Sequence, residues 1–213
     1  MEQKLAHPET FVEAAAWLAD HDETLAEIIA STDMPSFQPH KNYYQELVES
    51  IVSQQLSVKA AASIMKRFLA LFGDEFPSPD RILETSVDEL RAVGLSRSKI
   101  GYIQDLAAKV IKGSVRFNHL DALSNDEVIA ELVAIKGVGI WTVHMFLIFC
   151  MGRLDVLPWG DLGIRNGIKK LYQLDTLPDQ KTVEEIATRN HWHPYESVAA
   201  WYVWRSLNNQ PVL

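Results

Sequence analysis

An all-α protein is predicted by three observations in the 213-residue sequence. Apolar residues recur at three- and four-residue spacing along most of the chain, and no stretch alternates apolar and polar side chains convincingly enough for a strand. Serine or threonine followed three places later by glutamate, at Ser86/Glu89, Ser124/Glu127 and Thr182/Glu185, offers three capping boxes. Glycines 73, 94 and 113 stand where apolar patterns stop, as helix C-termini favour. The sum is roughly ten or more helices joined by short loops.

The elements follow in order. Residues 8–19 set Phe11, Ala15 and Leu18 on one face, and residues 23–31 do the same with Leu25, Ile28 and Ile29, so two short helices begin the chain. Residues 32–42 hold Pro35, Pro39 and few apolar side chains, which predicts a loop. Tyr44, Leu47, Val48 and Ile51 mark a helix that arrives at Ser53-Gln54-Gln55-Leu56-Ser57, and another runs over residues 58–72 to Gly73. Ser78-Pro79 starts a short helix, since proline suits a first turn. The Ser86 box opens another that ends at Gly94, and residues 98–112 form a longer amphipathic helix stopped by Gly113.

The Ser124 box opens a helix whose apolar period reaches Ile135. Lys136-Gly137-Val138-Gly139 then has to turn, and a second helix starts at Ile140 or Trp141. The turn-rich stretch Leu157-Pro158-Trp159-Gly160-Asp161-Leu162-Gly163-Ile164-Arg165 leads into a helix over residues 162–171 with Asp161 as its N-cap. Thr182 opens the next helix. Pro194 begins the last, which carries Val198, Trp201, Tyr202 and Arg205.

Composition bounds the function. With 47% hydrophobic residues the chain can bury a sizeable core, in one large or two small domains. Its 20 Lys+Arg against 28 Asp+Glu give a net charge of −8, which argues against coating nucleic acid non-specifically but allows a local grip on a few phosphates. The single cysteine, Cys150, rules out an intramolecular disulfide, a Cys-rich zinc site and a four-cysteine iron–sulfur cluster; its apolar neighbours predict a buried thiol. No charged and apolar leader opens the sequence, and no run approaches the roughly 18 apolar residues that span a bilayer. An intracellular protein is expected, cytoplasmic or, from a eukaryote, nuclear, with no membrane partner.

Two features carry chemistry. The Gly137-x-Gly139 turn leaves backbone N–H groups uncovered at a helix start, where the macrodipole is positive, so it can hold a phosphate; an ordinary corner between helices explains it as well. Asp161 puts one carboxylate at the mouth of a helix, and a plain cap explains that residue too.

Taken together, hairpin, apolar helix, loop and aspartate resemble the helix-hairpin-helix superfamily of DNA base-excision glycosylases, most closely the 3-methyladenine DNA glycosylase II type. In that family the second helix typically begins G-x-G-x-W-T, here Gly137-Val138-Gly139-Ile140-Trp141-Thr142. The similarity runs from about residue 47 to 205 and includes the stretch LVESIVSQQLSVKAAA at residues 47–62. It implies a middle helical lobe over residues 44–154, and a second built from residues 1–43 and 155–213, with an active-site cleft between them.

The resemblance assigns roles as well. Asp161 is the catalytic carboxylate. Trp141 and Trp204 match aromatics that line the family's base pocket; Trp159, Tyr43 and Tyr44 are further candidates for its walls, and Trp192 and Trp201 are expected in the core. Gln55, with Leu56 beside it, is the wedge that fills the duplex when the damaged base swings out. Lys136, Gly137, Val138, Gly139 and Thr142 bind DNA phosphate, with Arg97, Lys99, Arg165, Lys169 and Lys170 as further candidates. Na+ or K+ on hairpin carbonyls is an implied structural ion, and no catalytic metal or other cofactor is expected. Met145 stands where the family pocket has an aromatic, and Lys136 where many hairpins have proline. Members that also cut the backbone carry a Schiff-base lysine where this chain has Trp141, so a monofunctional enzyme is implied, acting as a monomer on alkylated purines in duplex DNA. A helix-hairpin-helix DNA-binding module without catalysis is the alternative.

Overall fold

A computed structural model describes residues 3–207. Among them are twelve α-helices: α1 (Pro8–His21), α2 (Glu23–Ser31), α3 (Tyr43–Ser53), α4 (Val58–Leu71), α5 (Pro79–Glu84), α6 (Val87–Ala92), α7 (Arg97–Ile111), α8 (Asn125–Leu132), α9 (Ile140–Met145), α10 (Leu162–Leu171), α11 (Gln180–Arg189) and α12 (Glu196–Ser206). A 3₁₀ turn covers Phe117–Ala122, and α9 continues into a π turn, Phe146–Cys150. No strand occurs among the described residues, only an isolated bridge between Leu5 and Arg153, so the fold is all-α as predicted. No helix among them is long and apolar enough to cross a membrane.

Local chemistry sets most boundaries. The Ser86/Glu89 and Ser124/Glu127 boxes form, each glutamate reaching back to its cap residue's N–H. The Thr182/Glu185 box does not. Asp179 caps α11 instead, and Thr182 donates both its N–H and its hydroxyl to Asp179 Oδ1, at 2.9 and 2.8 Å. Once that stronger acceptor stands three residues earlier, Thr182 lies inside the first turn. Ser96 caps α7 and starts it one residue ahead of the expected Ser98; α12 begins at Glu196, after Pro194.

The helices group into two compact units, one of residues 42–143 and one joining residues 1–41 to 144–213. The chain passes from one to the other inside α9 rather than after residue 154. Residues 146–154 are buried, and the N-terminal segment binds their backbone: Ala6 N–H donates to Gly152 O, His40 N–H to Cys150 O and Leu154 N–H to Lys4 O. Cys150 is a buried thiol, as expected.

The unit with both termini is centred on a carboxylate that the sequence did not flag. Asp22, 2% exposed, caps α2 and accepts from Leu25 N–H, the Tyr172 hydroxyl at 2.5 Å and the Trp192 indole at 2.8 Å. Three donors satisfy its oxygens, which is what lets so polar a side chain be buried. Trp192 and Trp201 are core, as predicted. In the continuous unit, Leu47, Val48 and Ile51 of α3 are buried, as are Ile100, Ile103 and Leu106 of α7, and α7 packs against α3, α5 and α6.

Candidate active site

The carboxylate of Asp161 sits where the local sequence puts it. Pro158 O accepts the Asp161 N–H and closes the turn, after which Asp161 Oδ1 caps α10 by accepting from Ile164 N–H at 2.8 Å. A second donor reaches the same oxygen: the Trp204 indole N–H, also at 2.8 Å. Two fixed donors on one oxygen hold the carboxylate in place at the start of α10.

Glycine lets Trp204 come that close. A Cβ on Gly163 would lie 3.0 Å from both Asp161 Oδ1 and Trp204 Cδ1, and one on Gly167, a turn later, 2.4 Å from Val203 Cγ1. Two bare positions on one face of α10 therefore admit α12 and bring its indole to the carboxylate. Trp204 is only 4% exposed and stacks on Phe149, with ring centroids 5.9 Å apart. It holds the acid rather than standing open as a pocket wall.

The other expected pocket aromatics are divided. Trp159 is partly exposed in the same unit, two residues before Asp161, its ring 6.1 Å from His144 at 78°. Trp141, 41% exposed, belongs to the other unit and begins α9. Tyr43 is core there; its hydroxyl donates to Asp121 Oδ1 at 2.5 Å, which ties it down. Tyr44 turns into a cluster with Phe76 and Phe117, its hydroxyl buried without a hydrogen-bond partner and its pKa raised by that burial. Tyr43 lacks the exposure a pocket wall needs, and Tyr44 is committed to this aromatic cluster.

His144 is buried, with Nδ1 unpartnered, and burial pushes its pKa down from 6.5 to about 4. An unfolded chain takes up this proton as pH falls below about 6.5, while the folded chain resists until about 4, so the stability it confers is complete above 6.5 and lost on the way down. The loss between pH 7 and 4.5 is on the order of 2–3 kcal/mol. Urea melts at the two pH values should show a smaller difference for His144→Gln than for wild type.

The hairpin and wedge turn lie in the continuous unit. Gly137 takes φ 79°, in the left-handed region, whereas Gly139 does not. Val138 N–H is spent on Ile135 O, and Gly139 O receives Val143 N–H, so α9 begins at Ile140. That takes Val138 out of the expected phosphate donors of the hairpin and leaves Gly137 and Gly139. Thr142 is buried, so its side chain is not a phosphate contact.

Lys136 is exposed, and its N–H, which a proline would lack, donates to Asp105 Oδ2 at 2.9 Å. Its ammonium lies 3.7 Å from Asp105 Oδ1. Burial alone would push the Asp105 carboxyl up, but this N–H and the Lys109 ammonium bring it below its ordinary value.

Gln55 is exposed at φ 56°, and Leu56 beside it is 38% exposed. Three of the five candidate cations are committed to main-chain oxygens: Lys99 to Val52 O and Gln54 O, Arg165 to Pro178 O and Lys170 to Ser206 O. Each of these three is tied to the chain's own backbone. Arg97 is exposed.

The profile of HhH-GPD superfamily base excision DNA repair proteins matches residues 48–191. DNA-3-methyladenine glycosylase 1 of Schizosaccharomyces pombe is 39% identical over 171 residues, covering 78% of this chain and 73% of its own. The crystal structure of a DNA-3-methyladenine glycosidase from Bacillus halodurans superposes with a TM-score of 0.82 at 35% identity, over 97% of this chain and 92% of that one. A 3-methyladenine DNA glycosylase of S. pombe in complex with abasic DNA gives 0.75 at 33% identity, over 94% and 99%. The chain belongs to the HhH-GPD superfamily of base excision DNA repair proteins.

Proposed function

We propose that the protein is a monofunctional DNA glycosylase that hydrolyses alkylated purines of the 3-methyladenine and 7-methylguanine type out of duplex DNA and leaves an abasic site. The observation that carries the reading is the carboxylate of Asp161, held at the start of α10 by Ile164 N–H and the Trp204 indole. Rupture of an N-glycosidic bond puts positive charge on C1′ and O4′ of the deoxyribose. A carboxylate fixed beforehand therefore stabilises the transition state more than the neutral ground state. The same group orients, or takes a proton from, the attacking water. An alkylated purine is already cationic and leaves without a general acid, and an indole face attracts it by roughly 0.5–2 kcal/mol through its cation–π preference. Trp159, partly exposed two residues before Asp161, is an indole that suits this task.

The base must first leave the stack, because its glycosidic bond is inaccessible in a paired duplex. Gln55, with Leu56, fills the gap, while Gly137 and Gly139 hold the backbone. Main-chain oxygens of the hairpin are the donor type that Na+ or K+ takes; Ile135 O and Gly137 O each accept one hydrogen bond and keep a second lone pair. Such an ion would add charge toward a phosphate on an acidic protein.

Trp141 stands where a lyase would need its amine, which supports hydrolysis alone. Incubation with a methylated duplex is expected to release free purines and leave strands intact until alkali cleaves the abasic sites, with no adduct trapped by borohydride. A trapped adduct during normal turnover contradicts the monofunctional reading, and failure to release purine contradicts the activity. Trp204→Phe keeps the ring on Phe149 but removes the N–H from Asp161, and single-turnover release is expected to slow about tenfold. Unchanged release would show that the cap bond alone positions the acid.

A further inference from the structure

We propose that Gln54 is a positioning residue that locks the wedge turn to the glycine hairpin, with Lys99 closing the lock from beneath, so that Gln55 is aimed before DNA arrives. The proposal rests on the glycosylase reading above and names a residue that the recognition motif does not.

The lock is a closed circuit of contacts on one face of α7. Lys99, Tyr102, Asp105 and Lys109 stand zero, three, six and ten residues along it and so face the same way. Lys99 donates its ammonium to Val52 O at 2.8 Å and Gln54 O at 2.7 Å, at the negative C-terminal pole of α3. Tyr102 lies flat under the hairpin: a Cβ on Gly137 would come 2.1 Å from its Cδ2. Asp105 accepts the Lys136 N–H and holds the hairpin's first residue. The remaining gap is bridged by Gln54, whose Nε2 donates to Gly137 O at 2.9 Å. Wedge turn and hairpin share one groove of ≈ 390 Å³, with Gln54, Gln55, Leu56, Tyr102 and Gly137 in its lining.

This circuit accounts for the backbone of Gln55. A glutamine at φ 56° is disfavoured by roughly 1–2 kcal/mol, and such a conformation persists only where its surroundings over-determine it. The residue before it is held at both ends, by Lys99 on its carbonyl and by Gly137 on its side chain. Released, the turn can relax to negative φ, and the Gln55 side chain then leaves the direction in which it enters a duplex. An already aimed wedge loses less conformational freedom on insertion, which is the general advantage of preorganisation.

Gln54→Glu tests the tie at constant length, since a carboxylate cannot donate to Gly137 O. Single-turnover excision from a fully paired methylated duplex is expected to slow about tenfold, with less than about twofold change for the same lesion in an unpaired bulge. Gln55→Gly removes the wedge glutamine at a φ that glycine accepts; in that background, adding Gln54→Glu should cost less than about twofold, because the side chain that Gln54 aims is gone. Lys99→Met, which frees both carbonyls, should reproduce the pattern of Gln54→Glu. Wild-type rates on paired DNA, equal slowing of paired and bulged substrates, or an undiminished effect in the Gln55→Gly background would each overturn the proposal. A readout independent of catalysis separates it from the activity: 2-aminopurine beside an abasic analogue reports wedge entry, and its signal should fall in Gln54→Glu even if wild type released no purine.

Discussion

Asp161→Asn is expected to slow base release from a methylated duplex by about 10²- to 10³-fold, with affinity for an abasic-analogue duplex within about threefold of wild type. Asparagine keeps the shape and still offers an oxygen to Ile164 N–H and the Trp204 indole, so the start of α10 and the seat of α12 persist. What disappears is the unit charge. A neutral amide supplies only a dipole to a sugar that is becoming an oxocarbenium ion, and the difference falls on the transition state alone. Equilibrium binding and single-turnover excision separate the two outcomes. A binding module would show neither activity nor dependence on residue 161. Equal activity in both proteins would place the chemistry at another side chain. A matching urea midpoint for the two proteins confirms that the loss is chemical and not structural.

The sequence made the locally determined parts legible. The Gly137-Val138-Gly139 turn, the Asp161 cap and the bounds of α10 are each fixed within a few residues by φ, by capping and by an apolar period, and all stand as expected. The errors share a cause. Thr142 was assigned by its place in a motif and Tyr43 and Tyr44 by residue type, yet which way a helical side chain faces depends on partners far away in sequence: Asp121 for Tyr43, Phe76 and Phe117 for Tyr44. The same holds for what went unnoticed. Trp204 reaches Asp161 across 43 residues, Gln54 reaches Gly137 across 83 and Trp192 reaches Asp22 across 170. One usable signal was present for the first of these. Gly163 and Gly167, four residues apart on a single helix, mark a face that something approaches closely.

Gly137→Ala is expected to weaken binding of an abasic-analogue duplex on the order of 10²-fold, the equivalent of one or two charge-assisted hydrogen bonds to phosphate. Two costs coincide at this position. An alanine at φ 79° is disfavoured by about 1–2 kcal/mol, and its methyl would stand 2.1 to 2.5 Å from the Tyr102 ring, well inside contact distance. The ring cannot swing aside cheaply, because the atoms met include Cγ, next to its attachment to α7, rather than a flexible tip. The hairpin has to lift instead, and the Gln54 bond to Gly137 O and the Asp105 bond to Lys136 N–H strain with it. Combining Gly137→Ala with Tyr102→Ala removes the collision but not the backbone penalty, so affinity should return only in part. Gly139→Ala is the contrasting control. Its φ is outside the left-handed region and nothing lies within 4 Å of the added methyl, so the melting temperature should match wild type. Whatever affinity that variant loses then measures how closely a phosphate approaches the turn, whereas wild-type affinity in Gly137→Ala would mean that the hairpin does not hold the backbone at all.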